Sequence, residues 1–163
     1  MGALVVDSKM LSQVRSAWKM SAWMLAKLPL ARIAGLRIDE ITPERCAVSV
    51  PYRWLSQNPF RSTYFAALAM AAEMSTGTLG LLAVRSAPQS VAIIITHIEG
   101  DFLKKATGRT TFTCEAGPAL FAAVEQTLRT GEGVTVRVPT IGRSEDGAEI
   151  ARFTFEWSFK RRS

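Results

Sequence analysis

The stretch that most constrains the fold runs from Asn58 to Gly77 and reads NPFRSTYFAALAMAAEMSTG. Its Asn-Pro pair favours a turn, and Ser62 or Thr63 can cap a helix that follows. From residue 64 to residue 74 every side chain except Glu73 is apolar, and alanine, the strongest helix former, is the commonest of them. A helix that is apolar on every side must be surrounded by other structure. The stretch therefore predicts a buried central helix, which Gly77 and Gly80 are expected to close, with Gly77 at the C-cap.

Glu73 is the one ionisable group on this predicted buried helix. A carboxylate is almost never fully buried unless it is paired or used chemically. One interpretation is structural: Glu73 meets a partner elsewhere in the core, or it lies where the helix reaches water. The other is catalytic, because groups in perturbing environments cluster at functional sites. The helix alone leaves both interpretations open.

Length and composition indicate one globular domain over residues 1–163. Of these residues 48% are hydrophobic and 21% are charged, which suits a single substantial core. Cys46 and Cys114 are too few for a disulfide framework and match no metal-ligand spacing, so no metal site is predicted. A reducing cytoplasm fits this cysteine usage. No apolar run approaches the roughly 20 residues of a membrane-spanning helix, so stable membrane insertion is not predicted.

The net charge of +6 admits anionic partners, but the basic residues are scattered along the chain. The densest cluster, residues 160–162, is most simply a solvated C-terminal tail. The sequence has no zinc-finger spacing, no aromatic RNA-binding motif and no basic helix with clear heptads. Nucleic acid is therefore not predicted as a partner.

Residues 8–28 are predicted to form one helix, which Pro29 ends. Its apolar face would carry Leu11, Val14, Trp18, Ala22 and Leu25. Trp18 and Trp23 make this helix a candidate for a membrane surface. Packing against its own domain is the preferred interpretation.

Hydrophobic alternation predicts most of the remaining elements as strands. Two strands precede the central helix, at residues 31–39 and 45–52, and the apolar run 91–98 is predicted not to be an exposed edge. Later strands are predicted at 109–116, around 134–138 and at 153–159, with a helix at 118–130 and a hairpin turn at 145–147. This order predicts an α+β domain, in which one curved antiparallel sheet wraps around the central helix.

The arrangement resembles the hotdog fold, and the central stretch resembles the phenylacetate-degradation-type branch of hotdog thioesterases. In that branch an Asn precedes a Gly by three residues, His-Gly-Gly by six to eight, and an Asp or Glu by fifteen. Asn58 and Glu73 stand at this spacing, Arg61 takes the place of the first Gly, and residues 64–66 read Tyr-Phe-Ala. Residues 98–106, IEGDFLKKA, resemble the family's third strand. The resemblance covers about residues 30–160 and leaves residues 1–29 as an N-terminal helical extension.

The resemblance implies hydrolysis of an acyl-CoA or related thioester at the interface of a homodimer, which could assemble further into a tetramer. Glu73 would be general base or nucleophile, and Asn58 would position water or the acyl carbonyl. The backbone N–H groups of Phe65 and Ala66 would polarise the carbonyl oxygen. Coenzyme A would be part of the substrate, and no bound cofactor is expected. The candidate substrate-binding residues are Ser62 and Tyr64, with Arg61, Lys104 and Lys105 for the coenzyme A phosphates.

Helix geometry also favours a site made by two subunits. Phe65 and Glu73 are eight residues apart, or about 12 Å along a helix, too far to act together on one thioester. Two antiparallel helices would bring the start of one to Glu73 of the other. Ser62, Ala66, Ala69 and Glu73 are predicted to share the facing side of the helix.

Two other functions are left open. A non-catalytic acyl- or lipid-binding hotdog protein is favoured by Tyr64 and Phe65, which depart from His-Gly. A hotdog hydratase or dehydratase usually has a histidine beside the carboxylate. The only histidine, His97, lies in an apolar strand, where a structural role is preferred.

Overall fold

The computed structural model describes residues 4–162, which form five α-helices and a six-stranded sheet. The helices are α1 (Ser8–Arg15), α2 (Ala17–Lys27), α3 (Pro29–Ala34), α4 (Phe65–Arg85) and α5 (Gly117–Thr130). The strands are β1 (Arg37–Ile41), β2 (Cys46–Val50), β3 (Val91–Phe102), β4 (Thr110–Cys114), β5 (Val134–Ser144) and β6 (Glu149–Arg161). A short 3₁₀ turn, Trp54–Ser56, lies between β2 and α4.

The sheet has the strand order β1-β2-β4-β5-β6-β3, and every neighbouring pair is antiparallel. Helix α4 contacts strands β2 to β6, so the sheet curves around it. The core consists mainly of side chains from α4, α5 and the inner face of the sheet, and Leu79, Leu82, Phe112, Phe155 and Phe159 are among its fully buried members. The predicted α+β hotdog architecture is confirmed.

The N-terminal region differs from the predicted single helix. The chain breaks at Ser16, whose backbone is extended (φ −84°, ψ 103°), and this break separates α1 from α2. Pro29 begins α3 instead of ending the helical region, because proline suits the first turn of a helix. The strand predicted from residue 31 therefore begins only at Arg37.

The predicted apolar face of this region is also only partly right. Val14 is buried, but Trp18 and Leu25 are 72% and 64% exposed. The break at Ser16 changes the phase of the second helix, so that Met24 is buried instead. The helices do pack on their own domain, since Val14 and Met24 belong to the hydrophobic core.

The central helix begins later and ends later than predicted. Tyr64 occupies the N-cap position in place of Ser62 or Thr63, and the helix continues past Gly77 to Arg85. At 21 residues it is long and apolar enough to cross a membrane, contrary to the prediction that no run approaches this length. Most of it is buried, because the sheet and the N-terminal helices surround it.

Strand β3 is an edge strand, and the prediction that this apolar run avoids the edge is wrong. It extends to Phe102 and pairs only with β6 within residues 4–162. Ile94, Ile98 and Phe102 are exposed along it. Natural proteins usually cover or interrupt an exposed apolar edge of this length.

Candidate functional site

The loop before α4 is built around the side chain of Asn58. Its Oδ1 accepts hydrogen bonds from the backbone N–H groups of Phe60 (2.9 Å) and Ser62 (3.3 Å). Its Nδ2 donates to the Ser62 hydroxyl at 3.1 Å. Ser62 is buried in this loop and does not lie on the helix face where it was predicted. Asn58 therefore shapes the backbone that leads into the helix.

Arg61 stands where the phenylacetate-degradation-type branch has a glycine, and its backbone has a conformation that glycine favours. Among the described residues other than glycine, Arg61 alone has a positive φ, of 58°. Glycine adopts this left-handed region at little cost, whereas other residues enter it less readily. The loop conformation is thus kept in this chain with a charged, exposed side chain in place of a hydrogen.

The first backbone N–H groups of α4 are free to bind a ligand. Those of Phe65 and Ala66 have no hydrogen-bond acceptor within residues 4–162, as expected at a helix start. The Phe65 ring is 55% exposed and packs edge-to-face on Tyr64 (4.8 Å) and Phe102 (6.4 Å between ring centroids). Aromatic rings therefore flank the two predicted oxyanion donors.

Glu73 lies two helical turns further on, at the side of a cleft of about 250 Å³. Burial raises the pKa of its carboxyl group, and no charge or hydrogen bond from residues 4–162 opposes that shift. The predicted structural partner in the core is therefore not found in the described part of the chain. Glu73 is thus a largely desolvated carboxyl group with no partner among the described residues, which leaves it available for proton transfer or nucleophilic attack.

The walls of the cleft come from three parts of the chain. The N-terminal helices and their connection provide Met10, Val14, Met20, Trp23 and Leu28, helix α4 provides Met74, Gly77, Thr78 and Leu81, and the sheet provides Ile93 and Trp157. Trp157 is buried, and its ring N–H donates to the Thr76 hydroxyl at 3.1 Å. Sequence reasoning missed this cleft, because local periodicity does not report which helix face another segment covers.

The predicted phosphate-binding residues lie on two neighbouring loops. Lys105 Nζ donates to the Phe60 carbonyl at 3.4 Å, which places it beside the loop that carries Arg61. Lys104 lies nearer the β5–β6 turn. There the pKa of Asp146 is lowered, chiefly by a hydrogen bond from Ser144 and also by the charge of Lys104. Arg61 and Lys105 therefore lie on adjacent loops, whereas Lys104 lies closer to the β5–β6 turn.

His97 does not join Glu73. It stands opposite Glu156 on the outer face of the sheet, is exposed, and lies 4.0 Å from the Glu99 carboxylate. Ile93, on the inner face of the same strand, is the residue that lines the cleft. His97 is therefore exposed although its strand is apolar, and within residues 4–162 no histidine lies beside Glu73.

Several solved structures share this fold at low sequence identity. A Pseudomonas aeruginosa protein of unknown function, called a probable thioesterase, matches with a TM-score of 0.74 and 16% identity, over 89% of this chain and 96% of that one. A Chlorobaculum tepidum protein of unknown function matches with a TM-score of 0.76 and 14% identity, over 98% and 99%. A Haemophilus influenzae thioesterase matches with a TM-score of 0.66 and 10% identity, over 90% and 91%.

These similarities establish the hotdog fold. The activity of this chain is inferred from its own residues. No curated protein sequence matches the chain. A family model described as Domain of unknown function (DUF4442) matches residues 16–159, from the start of α2 to near the end of β6. Because this match spans most of the chain, the chain belongs to the DUF4442 family.

Proposed function

We propose that this protein is a homodimeric thioesterase that hydrolyses an acyl-CoA or related thioester, with a site laid out as in the phenylacetate-degradation-type branch. The observation that carries the proposal is Glu73, a carboxyl group largely desolvated beside an apolar cleft, with no partner within residues 4–162. Such a group costs folding free energy, so a catalytic use explains why the site has it. The thioesterase names of two structural neighbours agree with this use.

A second copy of the chain completes the site in this proposal. Ala66, Ala69, Met70 and Glu73 form a partly exposed stripe on α4, and α4 contacts the edge strand β3. Small residues allow a close approach of a second helix. A partner that pairs along β3 and lies antiparallel on this stripe would bring its own helix start to Glu73. The donor and the base would then come from different subunits.

The chemistry follows from these positions. The N–H groups of Phe65 and Ala66, at the positive end of the helix dipole, would polarise the thioester carbonyl. In the general-base route, Glu73 takes a proton from water while the water oxygen bonds to the carbonyl carbon. The carbon–sulfur bond then breaks, and the thiolate leaves with that proton. In the nucleophilic route, a Glu73 oxygen bonds to the carbonyl carbon, the carbon–sulfur bond breaks and the thiolate leaves. Water then cleaves the resulting anhydride, which releases the acid, restores the Glu73 carboxylate and provides the proton that the thiolate takes up.

The other predicted site residues act around this centre. Asn58 would hold the loop that fixes the helix start, and Ser62 would contribute through the same loop. Tyr64 would contact the substrate beside the donors. The exposed Arg61 and Lys105, with Lys104 further along, would bind the phosphates of coenzyme A, which enters as part of the substrate. The unpaired thiols of Cys46 and Cys114, which stand opposite each other on β2 and β4, fit a cytoplasmic location.

A panel of acyl-CoA thioesters with different acyl groups tests the proposal. Purified protein should release free coenzyme A from at least one of them, as measured with a thiol reagent. The alternative is a non-catalytic acyl-binding protein, which is favoured by the aromatic rings around the helix start. Saturable binding of acyl-CoA with no thiol release from any member of the panel would select that alternative and reject hydrolysis.

A further inference from the structure

We infer that helices α1 and α2 form the acyl-binding wall of the site, and that the cleft beside Glu73 takes an uncharged apolar acyl group. This inference rests on the proposed function, because it treats Glu73 as the reacting end of the cleft. The described lining contains two ionisable side chains, Glu73 and Arg85. Arg85 is held by Asp7 at 3.2 Å, which leaves Glu73 as the lining charge without a partner among the described residues.

The break at Ser16 is what allows both N-terminal helices to line the cleft. Val14 and Trp23 are nine residues apart, or two and a half turns, so an unbroken helix would place them on opposite sides. With the break, α1 directs Met10 and Val14 into the cleft while α2 directs Met20 and Trp23 into it. The change of helix direction therefore builds a wall that a single straight helix could not provide.

The lining specifies the class of acyl group. Met10, Met20 and Met74 are flexible and polarisable, so they can adapt to chains of different shape. The described lining has no free cation for a second carboxylate, which disfavours dicarboxylic acyl groups. At about 250 Å³ the cleft is slightly smaller than usual ligand sites of about 300–1,000 Å³. It therefore suits a short or medium acyl group, while the nucleotide of coenzyme A stays outside.

Variants of the cleft wall test this inference. Trp23→Ala enlarges the cleft, and Trp18→Ala, on the exposed side of the same helix, is the matched control. Linear methyl ketones of increasing length serve as uncharged probes, with binding followed by calorimetry. Trp23→Ala should move the preference towards longer ketones, and Met20→Trp should move it towards shorter ones. Each added methylene in an apolar pocket changes affinity by about tenfold or more, so the shift is measurable. Trp18→Ala should keep the wild-type preference.

The same variants are then compared with the acyl-CoA panel. Hydrolysis with an acyl-length preference that neither Trp23→Ala nor Met20→Trp changes would overturn the cleft inference while the proposed function stands. Ketone binding that shifts with these variants, without any hydrolysis, would support the cleft and reject the proposed function. If no ketone binds the wild-type protein, the inference is wrong.

A second inference rests on charge. Residues 8–38 contain six basic residues and no acidic residue, whereas the rest of the chain contains 14 of each. The whole net charge of +6 therefore comes from the N-terminal helices and the start of β1, although basic residues occur throughout the sequence. We infer that the outer surface of these helices docks on an anionic lipid membrane.

The outer surface has the composition of an interfacial helix. Trp18, Ala22 and Leu25 are exposed at i, i+4 and i+7 on α2, and Leu30 is exposed on α3. Lys19 lies over the Trp18 ring, with Nζ 5.8 Å from its centroid. Basic amphipathic helices with exposed tryptophan and leucine bind anionic lipid surfaces. Charge complementarity favours lipid over a second copy of the chain, because two such surfaces would repel each other.

Vesicle co-sedimentation, with and without phosphatidylserine in phosphatidylcholine, tests this inference on the full chain. The protein should bind only the anionic vesicles, and binding should weaken as salt increases. Lys19→Glu with Lys27→Glu should reduce binding by more than about tenfold, since each basic residue near the surface contributes substantially. Lys160→Glu with Arg162→Glu, at the other end of the chain, is the matched control and should reduce it less.

Trp18→Ser tests the apolar part of the surface at constant charge and should also weaken vesicle binding. Equal binding to both kinds of vesicle, or none to either, would overturn the inference. A Trp18→Ser variant that changes the mass in sedimentation equilibrium but not vesicle binding would identify the surface as a contact between copies of the chain, and would also overturn it.

Discussion

Glu73 is the residue at which folding and the proposed chemistry make opposite demands. The fold removes much of the water from its carboxyl group, although Glu73 stays partly exposed, and supplies no cation or donor from residues 4–162 in return. A raised pKa makes a carboxylate a stronger base, provided that it is ionised at the working pH. Desolvation of Glu73 therefore lowers the stability of the folded chain at neutral pH while it favours proton abstraction.

The pH dependence of stability tests this description of Glu73. Because its pKa is higher in the folded chain, the folded chain holds the proton more tightly than the unfolded chain does, and stability falls as pH rises between the two pKa values. Glu73→Gln should therefore melt at a higher temperature than wild type at neutral pH. The two proteins should converge at a pH below the ordinary pKa of a glutamate. A glutamine variant that is less stable at neutral pH would instead indicate a partner for the charge.

At the scale of elements, local sequence patterns correctly predicted the helices and strands whose formation depends mainly on local interactions. Alanine content predicted the central helix, and period-two alternation predicted the last two strands with their turn, where Gly147 has a φ of 85°. Glu73, Phe65 and Ala66 were correctly assigned to the helix for the same reason. The break at Ser16 and the edge position of β3 were not predicted, because both depend on which distant segments cover a given face.

Gly77 shows how a distant contact overrode a local signal. A methyl group at Gly77 would lie 2.6 Å from Glu73 Oε1 and 3.2 Å from the Trp157 ring. The glycine therefore makes room beside the carboxyl group and does not end the helix. From the sequence alone Gly77 was assigned to the C-cap, because the left-handed residue that often ends a helix is usually glycine.

Gly77→Ala should separate stability from activity. Alanine favours a helix interior over glycine by about 1 kcal/mol, which offsets the crowding, so the melting temperature should change little. The methyl group should displace the Glu73 carboxyl group, and a misplacement of about 1 Å can lower turnover by about 10²-fold. Gly133→Ala, where a methyl group meets nothing within 4 Å, is the control and should leave turnover unchanged. Unchanged turnover in a folded Gly77→Ala protein would contradict the proposed position of Glu73.

At the scale of the whole molecule, the single chain leaves two features incomplete. Strand β3 presents an open edge with exposed apolar residues, and α4 keeps its free N–H groups about 12 Å from Glu73. Both would be completed by one second copy of the chain. The proposed dimer therefore explains the exposed edge and the separated site groups together.

A charge on the β3 edge tests the dimer. Ile98 lies on this edge and is 48% exposed. A lysine at this position should be tolerated on a free edge but should disrupt a contact between subunits. Ile98→Lys should give folded monomers in sedimentation equilibrium and little turnover, whereas Ile33→Lys on the exposed side of α3 should remain dimeric and active. A monomeric wild-type protein with full activity would contradict the two-subunit site.

The central claim is that Glu73 carries out thioester hydrolysis, and the turnover of Glu73→Gln on the best acyl-CoA substrate tests it most directly. Glutamine keeps the shape but can act neither as base nor as nucleophile, so turnover should fall by about 10²–10⁴-fold in a protein that is still folded. Glu132→Gln, at an exposed loop carboxylate, should retain wild-type turnover. A folded Glu73→Gln protein that hydrolyses the substrate as fast as wild type would contradict the claim.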